Sequence, residues 1–182
     1  FAPTATARAN LLGEAVKPET VHVTGNTVID ALKATVDSNY TFSDPLLKNI
    51  DYANKRVILV TTHRRENLGD PMRHVYQALA RITRQFADVE IIFPVHKNPA
   101  VRQVVLAELG NNSQVHLNDP LDYQPFANLM AKSYLVLTDS GGIQEEAPAL
   151  GKPVLVLRDT TERPEAVEAG TVRLIGTSSE TV

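Results

Sequence analysis

The sequence contains no cysteine among its 182 residues, and it contains no apolar run long enough to cross a bilayer. The first absence excludes disulfide bonds, thiol catalysis and cysteine-ligated metals. The second leads us to expect no membrane span. Lysine and arginine number 18 against 21 acidic residues, and they form no block. We therefore expect no nucleic-acid surface, because such binding needs clustered cations that neutralise phosphates.

What the sequence does contain is typical of a globular enzyme domain. Hydrophobic residues make up 43% and charged residues 21% of the chain, which is enough to build one substantial core. We expect a cytoplasmic protein. The first residue is Phe1 rather than methionine, and the chain stops at Val182 just after a helix-start signal. We therefore also expect this chain to be part of a longer protein.

Short β-branched runs alternate with helical patterns along the chain. Strands are predicted at residues 21–24, 57–61, 90–95, 115–117, 134–137, 154–157 and 172–175. Crossover helices are predicted at residues 28–36, 71–86, 99–109, 123–131, 142–150 and 163–169. The strands are nearly continuous apolar runs, as expected when both faces of a strand are buried. The pattern predicts an α/β fold with a doubly wound parallel sheet.

A glycine turn is the most informative motif. Ser140, Gly141 and Gly142 follow one apolar run and precede a helical pattern. Free backbone N–H groups and the macrodipole at the start of a helix favour an anion, so phosphate is the natural ligand. Glu145 and Glu146, one turn further, could accept hydrogen bonds from sugar hydroxyls. The alternative is a plain turn between strand and helix with solvated glutamates.

Other polar loops follow the remaining predicted strands. In a parallel sheet, ligands bind outside the carboxyl ends of the strands. HRREN at residues 63–67 and RDTTERPE at 158–165 would share this edge with the glycine turn. Taken singly, His63 could be a surface or helix-capping histidine, Arg163 a solvated cation and Phe126 a core aromatic residue. Their coincidence at one edge predicts a functional site.

Four segments carry a family resemblance. They are VTGNTVIDAL at residues 23–32, HRREN at 63–67, PVHKNP at 94–99 and LTDSGGIQEEAPALGKPVLVLRDTTERPEA at 137–166. Together they resemble the C-terminal half of non-hydrolysing UDP-N-acetylglucosamine 2-epimerases, and the resemblance covers essentially the whole chain. It implies a Rossmann-like domain similar to the second domain of glycosyltransferase-B type enzymes.

The resemblance also implies a domain organisation and partners. Residues 1–25 would be an inter-domain segment and the end of a missing first domain. Residues 26–182 would be the nucleotide-sugar-binding domain, truncated at its C-terminus. The implied partners are UDP-N-acetylglucosamine or UDP, the missing N-terminal domain of the same protein and a second copy in a homodimer.

Several residues match the nucleotide-binding positions of that family. Ser140, Gly141 and Gly142 match the residues that hold the diphosphate. Glu146 matches the carboxylate that accepts the ribose hydroxyls, and Phe126 matches the aromatic residue beside the uracil. A flat base needs a flat apolar face, which an aromatic ring supplies.

Two basic side chains match residues near the phosphates. His63 and Arg163 match groups that reach this region, where cations stabilise a departing diphosphate, and we assign the catalytic role to His63. Arg64 and Arg65 beside His63 disfavour its protonation, so we expect a neutral imidazole near pH 7 that donates a hydrogen bond, or that acts as an acid when UDP arrives.

Two positions depart from the family pattern. Leu121 replaces a glutamine found in some relatives, and Thr62 replaces a smaller residue. These departures concern single contacts and not the resemblance as a whole.

The implied reaction is epimerisation at C2 of the sugar, giving UDP-N-acetylmannosamine. The C2 proton is poorly acidic, so the family eliminates UDP to give 2-acetamidoglucal and then adds UDP back. UDP must therefore stay bound between the two steps. No nicotinamide, flavin or metal is expected. The carboxylates that move the C2 proton belong to the missing first domain, so no general base is assigned here.

Two residues match a regulatory site. Arg64 and His96 match positions that contact a second, allosteric UDP-N-acetylglucosamine in some relatives. The alternative is that Arg64 pairs with Glu66 or a neighbouring carboxylate, and that His96 caps the helix that follows it. The carboxylates of the RDTTERPE loop, including Glu162, are interpreted as structural.

Two other functions remain open at this point. One is the second domain of a glycosyltransferase, in which the product is a glycosidic bond. The other is a module that binds UDP-sugars without catalysis. Acidic residues facing the cleft from an N-terminal domain would distinguish the epimerase from both.

Overall fold

The structure is a computed structural model that describes residues 1–64 and 67–182, so Arg65 and Glu66 of the HRREN motif lie outside the described residues. Contacts divide the chain into two units, Phe1–Thr35 and Val36–Val182. This division by contacts falls ten residues after the boundary predicted at residue 25. It does not test which residues belong to a first domain, so the predicted assignment stays a prediction.

The first unit contains helix α1 (Ala5–Gly13), a 3-10 turn (Pro18–Thr20) and helix α2 (Thr27–Thr35). The strand predicted at residues 21–24 is wrong. This segment forms only an isolated parallel bridge between Ala2 and Val23. The bridge cannot extend, because Pro3 has no N–H to donate and α1 begins two residues later.

The second unit contains a six-stranded sheet with helices between the strands. The strands are β1 (Arg56–Thr61), β2 (Val89–Pro94), β3 (Val115–Asn118), β4 (Leu135–Thr138), β5 (Val154–Val156) and β6 (Val172–Leu174). The helices are α3 (Pro45–Lys48), α4 (Asp70–Gln85), α5 (Pro99–Leu109), α6 (Tyr123–Lys132), α7 (Ile143–Ala149) and α8 (Pro164–Glu168).

The strand order is β3-β2-β1-β4-β5-β6, and every pairing is parallel. This is the order of the Rossmann-type doubly wound sheet. The predicted fold class is therefore confirmed, as are the remaining six predicted strands and the six predicted helices to within two residues at each end. The helix predicted at residues 28–36 is α2, which precedes the first strand of the sheet and is therefore not a crossover helix.

The core lies where α4 and α5 cover the strands β1 and β2. Residues 57–60 of β1 are all buried, which explains why their sequence shows no alternation. Tyr76 of α4 and Phe93 of β2 are fully buried, with ring centroids 5.6 Å apart. Each such side chain contributes about 1.5–3 kcal/mol by leaving water. This packing fixes the strands, and with them the positions at which the loops leave their carboxyl ends.

The short helix α3 is a local element that the sequence analysis did not predict. Its cap is nevertheless regular, since the Asp44 side chain accepts hydrogen bonds from the backbone N–H groups of Leu46 (2.8 Å) and Leu47 (3.4 Å). Pro45 occupies the first helical position, where its missing donor is not needed. Among the described helices, none is both long and apolar enough to cross a membrane.

Candidate functional site

The topological switch point of the sheet lies between β1 and β4, because the chain leaves β1 toward β2 and leaves β4 toward β5 on the opposite side. Ligands of doubly wound sheets bind in the crevice at this point. Thr61 is paired in register with Thr138, and their hydroxyl oxygens lie 2.6 Å apart. The loop of His63 and the loop of the glycine turn therefore leave the sheet side by side.

Asp139 joins these two loops. Its side chain is fully buried. Oδ2 accepts hydrogen bonds from the backbone N–H groups of His63 and Arg64, both at 2.9 Å, and from Asn67 Nδ2 at 3.3 Å. Oδ1 faces Nδ1 of His63 at 2.9 Å. The carboxylate thus fixes the main chain of one loop against the other.

Electrostatics at this pair differ from the sequence-based expectation. The sequence predicts that the neighbouring arginines keep His63 neutral near pH 7. Instead, the pKa of His63 is raised, chiefly by its hydrogen bond to Asp139, which outweighs desolvation and the charge of Arg64. Burial would raise the pKa of Asp139, but hydrogen bonds from His63 and from the backbone hold it below its ordinary value.

Asp139 is the residue that the sequence analysis missed. Its signal was available, since an acidic residue directly after a buried strand lies at the ligand-binding edge of a parallel sheet. Its partner is 76 residues away in sequence, so the pair is visible only once β1 and β4 are known to be neighbours.

The glycine turn lies where it was predicted, directly after β4. Thr138 Oγ1 accepts a hydrogen bond from Ser140 N at 2.9 Å, and the Ser140 carbonyl accepts one from Gln144 Nε2 at 3.1 Å. The first N–H groups of α7 have no acceptor within the helix, as at any helix start. A Cβ at Gly141 would lie 2.6 Å from Glu162 Oε1, so a side chain at this position would require the Glu162 carboxylate to move.

Glu162 is therefore placed against the glycine turn. Its carboxylate accepts hydrogen bonds from Arg158 Nη1 at 2.6 Å and from Arg64 Nη2 at 3.0 Å. These contacts, led by Arg158, lower the pKa of Glu162 to about 2. Arg64 thus pairs with a neighbouring carboxylate that comes from 98 residues further along the chain, while its alternative partner Glu66 lies outside the described residues.

A second ion pair joins α7 to the start of α8, where the sequence predicts sugar and phosphate contacts. Arg163 Nε donates to Glu145 Oε1, so the guanidinium lies over the start of α7. Burial, together with the charge of Glu145, raises the pKa of Glu146. Desolvation, and after it the charge of Glu146, raises the pKa of Tyr123 at the start of α6. The Glu146 carboxylate is therefore near enough to Tyr123 to act on its pKa.

A cleft of about 190 Å³ opens between the carboxyl ends of β1, β2 and β3. The cleft is lined by the predicted residues His63, His96 and Phe126. Thr62 and Leu121, the two residues that depart from the family pattern, also line it. The buried Thr62 hydroxyl is satisfied by the Tyr76 hydroxyl at 2.8 Å.

His96 does not cap α5 through its own side chain. Asn98 does so, accepting from Ala100 N at 3.0 Å, while His96 Nδ1 accepts from Asn98 N at 3.2 Å. In the described ranges, no cluster of three or more histidine or acidic side chains could hold a metal ion.

Fold and site together define a Rossmann-like α/β class of domain, with a glycine turn and a histidine–carboxylate pair at its switch point. The chain matches the model of one family, described as UDP-N-acetylglucosamine 2-epimerase, over residues 1–182. It belongs to that family.

Individual relatives agree. The UDP-N-acetylglucosamine 2-epimerase of Bacillus subtilis is 53% identical over 182 residues, which are 100% of this chain and 47% of the relative. A co-structure of S. aureus MnaA with UDP has 51% identity and a TM-score of 0.91, covering 100% of this chain and 48% of that one.

A further solved structure is the UDP-GlcNAc 2-epimerase from Neisseria meningitidis bound to UDP-GlcNAc. It has 45% identity and a TM-score of 0.89, and it covers 100% of this chain and 50% of its own. This chain thus spans about half the length of the relatives that it matches.

Proposed function

We propose that this chain is the nucleotide-binding half of an enzyme that interconverts UDP-N-acetylglucosamine and UDP-N-acetylmannosamine by eliminating and re-adding UDP. One observation carries the proposal. His63 lies beside the glycine turn at the switch point, where Asp139, the residue directly before the turn, contacts the His63 imidazole. The family match over the whole chain and the UDP ligands of the related structures support the choice of ligand.

In this proposal the nucleotide lies along the carboxyl edge of the sheet. Uracil packs beside Phe126 in the cleft next to β3, the ribose hydroxyls donate to Glu146, and the diphosphate lies against Ser140, Gly141 and Gly142. The raised pKa of Glu146 follows from burial, and a diol that donates to its carboxylate would offset that burial.

The cations around the turn would act on the leaving group. Arg163 starts from an ion pair with Glu145, and Arg64 from an ion pair with Glu162, so both guanidinium groups already border the turn. His63, whose pKa is raised, can be cationic near neutral pH and stabilise negative charge that develops on the departing diphosphate. The C2 proton is moved by carboxylates outside this chain.

The remaining assignments are part of the same proposal. Residues 1–25 end a first domain, residues 26–182 form the second, and two copies of the complete protein form a cytoplasmic homodimer. Arg64 and His96 contact a second, regulatory UDP-N-acetylglucosamine. The position of His96 in the same cleft as His63 supports placing that regulatory site next to the reaction.

The division of labour can be tested with the 182-residue chain. We expect calorimetry to detect UDP binding, and we expect no N-acetylmannosamine formation and no deuterium exchange at C2. Binding should be weak, because half of a cleft leaves much of the diphosphate in water. Turnover by the chain alone would contradict the assignment of the proton-transfer groups to another domain. Binding without turnover in the complete protein would instead support a sensory module.

A further inference from the structure

The hydrogen bonds to Asp139 distinguish its two oxygen atoms. Oδ2 accepts from three donors, namely the N–H groups of His63 and Arg64 and the amide of Asn67. Oδ1 lies 2.9 Å from His63 Nδ1, and among the described residues its other contact is a longer one, 3.2 Å, with the N–H of His63. One oxygen is therefore used to fix the loop, and the other is left for the imidazole.

An ionised carboxylate can only accept hydrogen bonds. His63 Nδ1 must therefore carry a proton in both the neutral and the cationic ring, and Nε2 is the nitrogen whose protonation changes. We propose that Asp139 is the positioning residue of His63, which fixes the neutral tautomer with the proton on Nδ1 and leaves Nε2 as the exchanging nitrogen. The importance of that nitrogen for catalysis rests on the function proposed above.

The other imidazole of the same cleft has the opposite arrangement. His96 Nδ1 accepts from the backbone N–H of Asn98, so the neutral ring of His96 carries its proton on Nε2. Two histidines that line one cleft are therefore held in opposite tautomers by two local contacts. His96 is an internal control for any measurement on His63.

The tautomer has a consequence for anion binding. With Nδ1 committed to Asp139, Nε2 of His63 can donate a hydrogen bond to an anion only while the ring is cationic. Among the described groups, Asp139 raises the pKa of His63 and Arg64 opposes it, while His96 lines the same cleft. Donation to a diphosphate should therefore disappear as the pH rises through the pKa of His63.

Replacing Asp139 by asparagine separates positioning from folding. The new carbonyl oxygen can take the place of Oδ2 and keep its three donors, so we expect the fold to persist. The new amide nitrogen then takes the place of Oδ1 and donates to His63 Nδ1. The neutral ring must consequently move its proton to Nε2, where it can donate at every pH.

The first test needs no substrate. Long-range ¹H–¹⁵N correlation spectra of the protein report which ring nitrogen carries the proton. We expect neutral His63 to be protonated on Nδ1 and neutral His96 on Nε2. We expect Asp139→Asn to move the His63 proton to Nε2 and to leave His96 unchanged. The matched control is Glu90→Gln on β2, which alters the contact with His116 on β3 and should leave the tautomer of His63 unchanged.

Neutral His63 protonated on Nε2 in the wild-type protein would overturn the proposal, and so would an unchanged tautomer in Asp139→Asn. Because the wild-type spectrum is decisive by itself, the proposal stays testable even if the variant does not fold. If the complete protein shows no epimerase activity, the proposed function fails while the tautomer result stands.

The second test uses the pH profile of the complete protein. We expect Asp139→Asn to lower kcat by about tenfold or more, to flatten the alkaline limb of kcat and to change KM by less than about threefold. A purely structural role would lower the active fraction equally at all pH values and leave the shape of the profile unchanged, which would overturn the catalytic part of the proposal.

Discussion

Two histidine–carboxylate pairs lie in different regions of the same sheet. His63 and Asp139 pair at the switch point between β1 and β4, and the Asp139 carboxylate is fully buried. Nε2 of His116 on β3 lies 2.6 Å from Oε2 of Glu90 on β2, and the two side chains are 22% and 17% exposed. The chemistry of the two pairs is the same, but their surroundings are not.

The difference is in what else the carboxylate holds. Glu90 also contacts Lys55 Nζ at 3.7 Å, so its other partner is a flexible side chain at the surface. Asp139 is held by backbone N–H groups that cannot move without moving the loop. A buried carboxylate with main-chain donors therefore fixes its histidine, whereas a partly exposed carboxylate with side-chain partners can exchange them.

The largest expected effect of breaking the two pairs is on stability. Asp139→Ala leaves the N–H groups of His63 and Arg64 without their buried acceptor and removes the partner of the imidazole, so we expect the free energy of unfolding to fall by about 3 kcal/mol. Glu90→Ala removes a pair near the surface and should cost less than about 1 kcal/mol. Urea unfolding of both variants measures the comparison, and equal losses would contradict it.

The same comparison has a defined pH dependence. The pKa of Asp139 is lowered by folding, so its contribution is fully present above its unfolded pKa of about 4 and is lost as the pH falls through the folded value. The pKa of His63 is raised, so its contribution is present below its unfolded pKa and is lost as the pH rises through the folded value. The difference between wild type and Asp139→Ala should therefore shrink at strongly acidic pH.

The second largest effect concerns turnover of the complete protein. We expect His63→Ala to lower kcat by about 10² or more and to change UDP affinity by less than about 1.5 kcal/mol, because the group acts on charge that develops in the transition state. His116→Ala is the matched control and should leave kcat unchanged. A rise in KM with kcat preserved would make His63 a ground-state phosphate contact, and an unfolded variant would make it structural.

The contrast also shows what could be predicted from the sequence. Strands β1, β2 and β4 are nearly continuous apolar runs, so burial on both faces could be predicted from local pattern. The run at residues 21–24 also contains β-branched residues, but within the described part of the chain it pairs only with Ala2, where Pro3 ends the bridge. Strand pairing is a long-range property that local composition does not contain.

Site residues follow the same rule. The placement of the glycine turn and of His63 at the carboxyl edge of the sheet could be predicted, because each closely follows a recognisable strand. The role of Asp139, and the contact of Arg64 with Glu162, could not, because these partners are 76 and 98 residues apart and meet only through the strand order. The direction of the His63 pKa was predicted wrongly because sequence shows Arg64 beside His63 but does not show Asp139.

A third prediction extends the comparison to Glu146, a carboxylate that is proposed to bind ribose hydroxyls and not to hold a histidine. If Glu146 accepts the ribose hydroxyls, Glu146→Gln should weaken UDP binding by roughly 1 to 3 kcal/mol, because a charge-assisted hydrogen bond becomes neutral. Glu145 is unsuitable as a control because it pairs with Arg163. Glu108→Gln, on α5 and paired with Arg73, is the matched control for calorimetry. Equal affinity in wild type and Glu146→Gln would place Glu146 outside the ribose site.

The smallest expected effect concerns Glu162, which contributes negative charge beside Gly141, where a diphosphate is proposed to lie. Glu162→Gln removes that charge and weakens the hold on Arg64, so we expect UDP affinity to rise. The gain should be about fivefold at most, because an exposed ion pair is worth little, and it should shrink with added salt. Asp88→Asn, which breaks the exposed pair with Arg56, is the control and should not alter binding. Calorimetry at two salt concentrations measures both variants. If Glu162→Gln instead lowers the affinity, Glu162 serves to hold its arginine partner in place for the anion, and the comparison then gains a third carboxylate that positions a cation.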